Sequence, residues 1–356
     1  SSRCLGQDWR TDNPTLLETC RTDCKPPAHP RPAAPSAAVG ANPALLLNRM
    51  PALESYPIIS LRKEDVLAPE EMGSKRKGWV QVGTDSEPWL FKYARLSNGE
   101  ITGEHWAEKV AAELAGLLEI PHARVELARL DGAVGCISRR FPELSRPGTE
   151  LIHGNDLLAG AVLGYDRAGR RAQPDHTIEN IANAIAVVIP DREERDRAFS
   201  QLAGYVTLDA LILNTDRHHE NWALIRMPSN DGTHLHRVAP TFDHASSLGR
   251  NEPVEKIGQW LKEAYRFEWY AARGRGAIFI KATDEHGANP LRLFEVAARA
   301  WPRYFQPWSQ MVQNVGLDRM LSVVDRVPDQ AIDPRQRRFA KGLLSVTFGQ
   351  VVGTFL

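Results

Sequence analysis

The chain has 356 residues, of which 42% are apolar and 25% charged, so it can bury one large core or two moderate ones. Its 44 Lys and Arg residues equal its 44 Asp and Glu residues, which excludes a global charge that would draw the molecule to nucleic acid or an anionic membrane. Neither a run of about 18 apolar residues nor a signal-peptide pattern occurs in the sequence, so we expect a cytoplasmic protein without membrane binding.

The first 49 residues differ in composition from the rest. They are rich in Pro, Ala and Thr, with the run Lys25–Pro32 near their centre, and they show almost no apolar periodicity. A segment of this kind buries too little apolar surface to fold. We therefore expect residues 1–49 to be a disordered tail that is dispensable for chemistry, with the folded part starting near Met50.

Residues 50–142 have the pattern of a small lobe built from strands and one helix. Gly78–Val82 and Trp89–Tyr93 are predicted strands, because each is rich in apolar and aromatic residues and a turn-rich stretch separates them. A helix is predicted from about Gly103 to Leu118, where apolar residues recur at helical spacing. Val125–Leu130 and Ala133–Ser138 are expected to form an antiparallel hairpin around an Asp-Gly turn.

Residues 143–356 are predicted to be mainly helical. Asp191 and Glu194 have the spacing of a capping box, and they precede a helix whose apolar face runs from Phe199 to Leu213. The other predicted elements are a hairpin, Trp222–Met227 with His234–Val238, and two helices, Leu291–Trp301 and Pro334–Phe355. A small sheet with one helix, followed by a larger helical part, is the layout of a two-lobed kinase.

Three oxygen-bearing side chains lie around the predicted hairpin of the second part. Asn221 follows Asp216 by five residues, and Asp243 comes just after the hairpin. This is the spacing by which protein and lipid kinases hold a catalytic base and two Mg²⁺ ligands. We assign Asp216 as the base for the attacking hydroxyl and Asn221 and Asp243 as Mg²⁺ ligands, since Mg²⁺ favours carboxylate and amide oxygens. The expected phosphoryl donor is ATP.

Lys92 is a charged residue inside an apolar strand, which is unusual. We assign it to the α- and β-phosphates of ATP, held by an acid on the following helix. The loop before the first hairpin offers backbone amides and positive charge to the same phosphates. The loop residues concerned are Gly73, Ser74, Lys75, Arg76 and Lys77.

Asn214–Asn221, followed by Ala239–Asp243, resembles the catalytic and metal-binding segments of the HipA family of serine/threonine kinases, which are toxins of bacterial toxin–antitoxin systems. Phe91-Lys92 resembles the ATP-lysine strand of that family, and Arg140-Phe141 resembles the end of its hinge strand. Ile152–Leu157 is similar to the segment that follows the hinge. The likeness covers about residues 70–250.

The resemblance implies a two-lobed α+β fold, similar to HipA and phosphoinositide kinases. Its small lobe would span residues 50–142, with an antiparallel sheet, and its mainly helical lobe residues 143–356. Glu104 is the acid that the resemblance assigns to Lys92, although Glu108, one turn later, stays open. Arg140, Phe141 and His218 are assigned to the nucleotide site, with His218 packing beneath the catalytic loop. Ser74 is the loop serine expected to be autophosphorylated.

The resemblance also has implications for partners and substrate. Full-length members of the family carry a further N-terminal subdomain, for which only residues 51–72 are available here, so this chain looks like a shortened form. We expect a small antitoxin or a subdomain-like protein as its partner. The implied substrate is a protein of the translation machinery, such as an aminoacyl-tRNA synthetase, and direct nucleic-acid binding is not expected.

Three alternatives stay open at this point. Asp-Arg-His-x-x-Asn is also the catalytic-loop pattern of phosphoinositide lipid kinases, so the acceptor could be a lipid hydroxyl. A zinc or di-metal phosphoesterase is suggested by five histidines within 27 residues, namely His218, His219, His234, His236 and His244. An inactive pseudokinase is the third alternative, and the complete set of Lys92, Asp216, Asn221 and Asp243 argues against it.

Overall fold

Strands dominate the first part of the folded chain and helices the second. The computed structural model describes residues 54–70, 77–97, 99–169, 173–263 and 265–355. The predicted tail and the predicted phosphate-loop residues Gly73, Ser74, Lys75 and Arg76 lie outside these ranges. Residues 55–356 belong to one compact unit.

The small lobe is built on a six-stranded sheet, in the part of the chain that the structure describes. From one edge to the other its strands are β1 (Ile58–Leu61), β7 (Val125–Leu130), β8 (Ala133–Arg139), β4 (Trp89–Tyr93), β3 (Lys77–Val80) and β2 (Val66–Glu70). A separate short hairpin consists of β5 (Leu96–Ser97) and β6 (Glu100–Ile101).

Four of the five pairings in this sheet are antiparallel, as predicted, but β1 pairs with β7 in parallel. The chain enters the sheet at one edge as β1. After α1 (Glu104–Leu117) it returns to this edge as β7, which runs in the same direction as β1. The β7–β8 turn has positive φ at Asp131 (47°) and Gly132 (80°), as a two-residue hairpin turn requires. Register sets Lys92 opposite Lys77 on one side and Cys136 on the other.

Helix α1 joins the small lobe to the larger one. Its residues Trp106, Val110 and Leu114 are buried in the same hydrophobic cluster as Leu208 and Leu211 of the larger lobe. Helices of the larger lobe are α2 (Gly154–Ala161), α3 (Ile178–Val188), α4 (Arg192–Ile212), α5 (Val254–Trp260), α6 (Arg266–Arg273), α7 (Pro290–Ala300), α8 (Pro302–Val315), α9 (Leu317–Asp325) and α10 (Pro334–Gly353). Because α1 packs against these helices, its acidic residues are fixed relative to the larger lobe.

Helix α4 is the central helix of the larger lobe. The side chain of Asp191 accepts a hydrogen bond from the backbone of Glu194, which confirms the N-cap half of the predicted capping box. The predicted single apolar face is wrong for its second half, where every residue from Ala203 to Ile212 is buried, because α7, α8 and α10 surround it. The helix ends at Leu213 in the left-handed conformation, with φ of 53°.

A three-stranded antiparallel sheet presents the loops of the site. The predicted hairpin is β10 (Ala223–Pro228) with β11 (His234–Val238), and β9 (Glu150–His153) pairs with the other edge of β10. The catalytic loop therefore connects α4 to β10, and Asp243 follows β11. No helix within the described residues is long and apolar enough to cross a membrane.

Candidate active site

Lys92 and Asp243 bring the two lobes together at the candidate site. The Nζ atom of Lys92 donates a hydrogen bond to Oδ1 of Asp243 over 3.0 Å. Burial alone would lower the pKa of Lys92, but the negative charges of Asp243 and Glu108 outweigh it and raise this pKa above its usual value. The ammonium group is therefore held in its charged form, opposite the loop that carries Asp243.

Glu108 is the second carboxylate that acts on Lys92. It is 1% exposed, and both of its carboxylate oxygens lack a hydrogen-bond partner among the described residues. Burial would raise the pKa of Glu108, but the charge of Lys92 holds it below its usual value. The Nδ1 atom of His244 lies 3.6 Å from the Glu108 carboxylate, too far for a hydrogen bond. A buried carboxylate of this kind keeps its charge only beside a cation.

Glu104 forms an ion pair with a residue other than the one the sequence suggested. Its carboxylate pairs with the guanidinium of Arg250, and both side chains are buried. The carboxylates whose charges raise the pKa of Lys92 are Asp243 and Glu108. The geometry thus favours Glu108, the alternative left open above, as the acid of α1 that acts on Lys92, and it directs Glu104 towards Arg250.

The catalytic loop is held by hydrogen bonds between its own residues. The side-chain amide of Asn221 donates to the backbone carbonyl of Asp216 over 2.7 Å, and the backbone of Asp216 donates to the side chain of Asn214 over 3.1 Å. The Asp216 carboxylate accepts from the hydroxyl of Ser246 at 3.3 Å. Asp216 and Asn221 are thus adjacent, as their spacing predicted.

Arg217 fixes this loop to the rest of the lobe, a role that the motif spacing did not reveal. It forms two hydrogen bonds of 2.7 Å with the carboxylate of Asp209 on α4, and both side chains are buried. The same guanidinium donates to the backbone carbonyls of Asn221 and Phe242, over 2.7 Å and 3.2 Å. One arginine therefore joins α4, the predicted catalytic loop and the predicted metal-binding segment. The available signal was Asp209 itself, a charge within an apolar helical stretch, which needs a buried partner.

The two assigned metal ligands have chemistry that suits a hard cation. Since the Asn221 amide nitrogen donates to Asp216, the amide oxygen is the atom left to bind a cation. Asp243 adopts a left-handed backbone conformation, with φ of 59°, which is uncommon outside glycine and often marks functional sites. One carboxylate and one amide oxygen fit the preference of Mg²⁺, which usually completes its shell with water and phosphate oxygens.

Aromatic side chains lie next to Asp243. Phe242 makes edge-to-face contacts with Phe141 and His153, with ring centroids 6.1 Å apart in each case. Arg140 is turned towards the following turn, where it donates to the carbonyl of Leu144 over 2.8 Å. Phe141 therefore lies beside the predicted metal-binding segment, where the resemblance places the nucleotide, while Arg140 bonds to Leu144 and Ser145 of its own loop.

The histidines of the catalytic loop have different environments from those expected. His218 is half-buried, whereas His219 is the one packed beneath the loop, with its ring 0% exposed and its Nδ1 2.8 Å from the hydroxyl of Tyr165. His176 lies next to His219 and binds the indole of Trp222 over 3.1 Å. Among the described residues, no three His, Cys, Asp or Glu side chains are grouped so that they could hold a metal ion.

Two solved structures are similar to this chain. The Helicobacter pylori proinflammatory kinase CtkA has a similar structure over 84% of this chain and 96% of that chain, with a TM-score of 0.67 and 15% identity. HipA of Shewanella oneidensis MR-1, solved with HipB and operator DNA, is similar over 81% of this chain and 64% of that chain, with a TM-score of 0.48 and 12% identity. None of the curated proteins matches the chain.

The likeness to CtkA confirms the predicted kinase-like α+β fold. The family described as the HipA-like C-terminal domain matches residues 61–300, which is more than half of the chain. The predicted family is thereby confirmed, and this chain belongs to the HipA-like C-terminal domain family.

Proposed function

We propose that this chain is an ATP- and Mg²⁺-dependent serine/threonine protein kinase of HipA type. The observation that carries the proposal is that the fold forms two pairs from the predicted site residues, Lys92 with Asp243 and Asn221 with Asp216, and that Arg217 bonds to the backbone of both segments. Lys92 of the small lobe lies 3.0 Å from Asp243, and Asn221 is tied by its amide to Asp216 over 2.7 Å. Membership of the HipA-like family supports it.

The residues have complementary roles in the proposed transfer. The oxygen of an acceptor hydroxyl forms a bond to the γ-phosphorus of ATP while the bond to the β,γ-bridging oxygen breaks, and ADP leaves with that electron pair. The hydroxyl proton passes to the carboxylate of Asp216. Lys92 neutralises charge on the α- and β-phosphates, and the negative charge of Glu108 stabilises the ammonium group. These roles depend mainly on position and charge.

Asn221 and Asp243 are the residues that would hold Mg²⁺. When bound, the ion would neutralise charge on the phosphates. Phe141 and Phe242 offer an apolar surface next to this position, which suits a nucleotide base. Lys77, opposite Lys92 in the sheet, and the loop residues Gly73, Ser74 and Lys75 stay assigned to the phosphates as predictions.

The substrate and partners extend the proposal. We propose a protein acceptor, with a translation component such as an aminoacyl-tRNA synthetase as the family-based expectation, and a toxin role in the cytoplasm. A small antitoxin or subdomain-like protein is the proposed partner. The exposed side chain of Leu67 on the edge strand β2, 57% accessible, is an available contact for a protein of that kind.

Labelled ATP tests the function and separates it from the lipid-kinase alternative. The wild-type protein and the variant Asp216→Gln are incubated with γ-labelled ATP, Mg²⁺ and a bacterial lysate, and the protein and lipid fractions are counted separately. We expect label on a discrete protein with the wild type only. Label in the lipid fraction would favour the phosphoinositide-type kinase, and zinc-dependent release of phosphate would favour the phosphoesterase.

A further inference from the structure

A row of polar contacts connects the candidate base to the beginning of α1. The hydroxyl of Ser246 lies 3.3 Å from Oδ2 of Asp216, and Nη2 of Arg250 lies 2.8 Å from the same hydroxyl. The other terminal nitrogen of Arg250 binds the carboxylate of Glu104, the first residue of α1. The sequence motifs singled out none of Ser246, Arg250 and Glu104 for this role.

The chemistry of the groups fixes the direction of each hydrogen bond. A guanidinium can only donate, so the Ser246 oxygen accepts from Arg250. The single hydroxyl hydrogen of Ser246 is then available to Asp216, whose carboxylate can only accept. The 3.3 Å distance exceeds the usual value of about 2.7–2.8 Å, but catalytic hydrogen bonds are often long before substrate binds. Arg250 therefore orients the donor that faces the base.

Burial and backbone contacts hold this row in place. Glu104 is 5% and Arg250 6% exposed, so neither side chain is free to change partner without losing a buried charge pair. The backbone of Gly103 donates to the carbonyl of Arg250 over 3.0 Å, and that of Thr215 donates to the carbonyl of Ser246 over 3.2 Å. The segment is thus fastened both to α1 and to the catalytic loop.

We propose that Ser246 and Arg250 are positioning residues, which orient the carboxylate of Asp216 towards the acceptor hydroxyl and make that orientation depend on Glu104 of α1. The inference rests on the proposed function and deepens it. Helix α1 then contributes to both halves of the site, through Glu108 behind Lys92 and through Glu104 at the base.

The inference is tested by the steady-state kinetics of label transfer from γ-labelled ATP to the protein of the bacterial lysate that the wild type labels. The wild type, Asp216→Asn, Ser246→Ala, Ser246→Thr and Ser247→Ala are compared, with the KM for ATP and kcat measured for each. Ser247 is a matched control, because its buried hydroxyl has no hydrogen-bond partner among the described residues. We expect Ser246→Ala to lower kcat about 10-fold, part of the roughly 100-fold or more that a positioned base contributes, with little change in KM. Threonine should restore most of kcat, and Ser247→Ala should behave like the wild type.

A second comparison removes the buried charges together. Glu104→Gln/Arg250→Gln leaves no unpaired buried charge, so we expect a melting temperature near that of the wild type but a kcat as low as that of Ser246→Ala. Adding Ser246→Ala to this double variant should lower kcat little further, since all three act through one carboxylate.

The outcomes distinguish the positioning role of Ser246 and Arg250 from the proposed kinase function. If Asp216→Asn is inactive while Ser246→Ala and the double variant keep wild-type kcat, the positioning role is overturned and the proposed function stands. Equal losses in Ser246→Ala and Ser247→Ala also overturn it, because they indicate a general disturbance of the segment. If the wild type transfers no label to any protein, both the proposed function and this inference fail.

Discussion

Two carboxylates of different accessibility raise the pKa of Lys92. Asp243 is one-third exposed and can meet a ligand, whereas Glu108 is buried. In the proposed function Asp243 binds a cation, and the charge of the buried Glu108 would then hold the ammonium group of Lys92. From sequence, Glu104 and Glu108 could not be separated, because they lie one turn apart on α1 and only the tertiary contacts distinguish them.

Substitution of the two acids of α1 should change different kinetic constants. Glu108→Gln removes the charge behind Lys92, so we expect the KM for ATP to rise roughly 10-fold or more, as the lysine loses its fixed position. Glu104→Gln should mainly lower kcat, because its partner is Arg250. Measuring both constants by label transfer checks this division. A rise in the KM for ATP with Glu104→Gln alone would restore Glu104 to the role the sequence suggested.

Arg217 should be required for the stability of the fold as well as for the position of the loop that carries Asp216 and Asn221. Arg217→Ala leaves Asp209 buried and uncompensated, which costs about 3–5 kcal/mol in the free energy of unfolding. Urea unfolding followed by circular dichroism measures it. The matched control is Arg197→Ala. Arg197 forms an exposed ion pair with Glu194 on α4, the helix that carries Asp209, and its loss should leave the unfolding midpoint unchanged. Equal effects of the two substitutions would contradict the buried-pair account.

At the scale of elements, α4 owes its position to close packing. A Cβ atom at Gly204 would come within 2.8 Å of the ring of Trp308 on α8, while the indole of Trp308 donates to the carbonyl of Ser200 over 2.7 Å. Glycine lets the two helices approach here in spite of its low helix propensity. The helix that delivers the catalytic loop is thereby held against α8.

Substitution of helical glycines tests that contact. Gly204→Ala should destabilise the protein by about 1–3 kcal/mol through overpacking. Gly349→Ala, in α10, meets no atom within 4 Å and should instead stabilise it by up to about 1 kcal/mol, the difference in helix propensity. Thermal unfolding of both variants is the measurement. Stabilisation by Gly204→Ala would show that α4 and α8 have room between them.

Elements with strong local signals were predictable from sequence. The β7–β8 hairpin and α1 have an Asp-Gly turn and clear apolar periodicity, and their bounds agree with the structure to within a residue or two. The parallel pairing of β1 with β7 was not predicted, because strand order depends on contacts between distant segments. The second half of α4 was misjudged because burial on all sides removes the amphipathic pattern.

At the scale of the whole molecule, buried histidines make stability depend on pH. Burial lowers the pKa of His176 to about 3 and that of His105 to about 4, against about 6.5 in an unfolded chain. Below pH 6.5 the unfolded state therefore binds more protons than the folded one, and folding stability decreases as the pH falls towards 4. Above pH 6.5 both histidines are neutral in the folded and in the unfolded state, so folding stability no longer changes with pH through these groups.

Urea unfolding between pH 7 and pH 5 measures this dependence. We expect the free energy of unfolding to fall on acidification, by at most about 1.4 kcal/mol per pH unit for each histidine. The variant His176→Gln should be less stable at pH 7, since it disturbs the contact with Trp222, but should show a shallower decline with acid. An unchanged slope would mean that His176 is not a source of the acid sensitivity.

The candidate site was predictable only where residue spacing reflects chemistry. Asp216, Asn221 and Asp243 could be assigned because one loop and one hairpin join them. The roles of Ser246 and Arg250 could not, since they come from long-range contacts that no local pattern encodes, and for Arg217 the charge of Asp209 indicated only that some buried partner exists. Long-range polar contacts of this type need the fold before they can be identified.

Binding of ATP with and without Mg²⁺ tests the central claim most directly. Titration calorimetry compares the wild type with Asp216→Asn and Asp243→Asn. We predict that Mg²⁺ strengthens ATP binding in the wild type and equally in Asp216→Asn, because the base is not needed for binding, and that Asp243→Asn loses this strengthening. Equal Mg²⁺-dependent binding by all three proteins, or ATP binding that Mg²⁺ does not affect, would contradict the assignment of these side chains to a phosphoryl-transfer site.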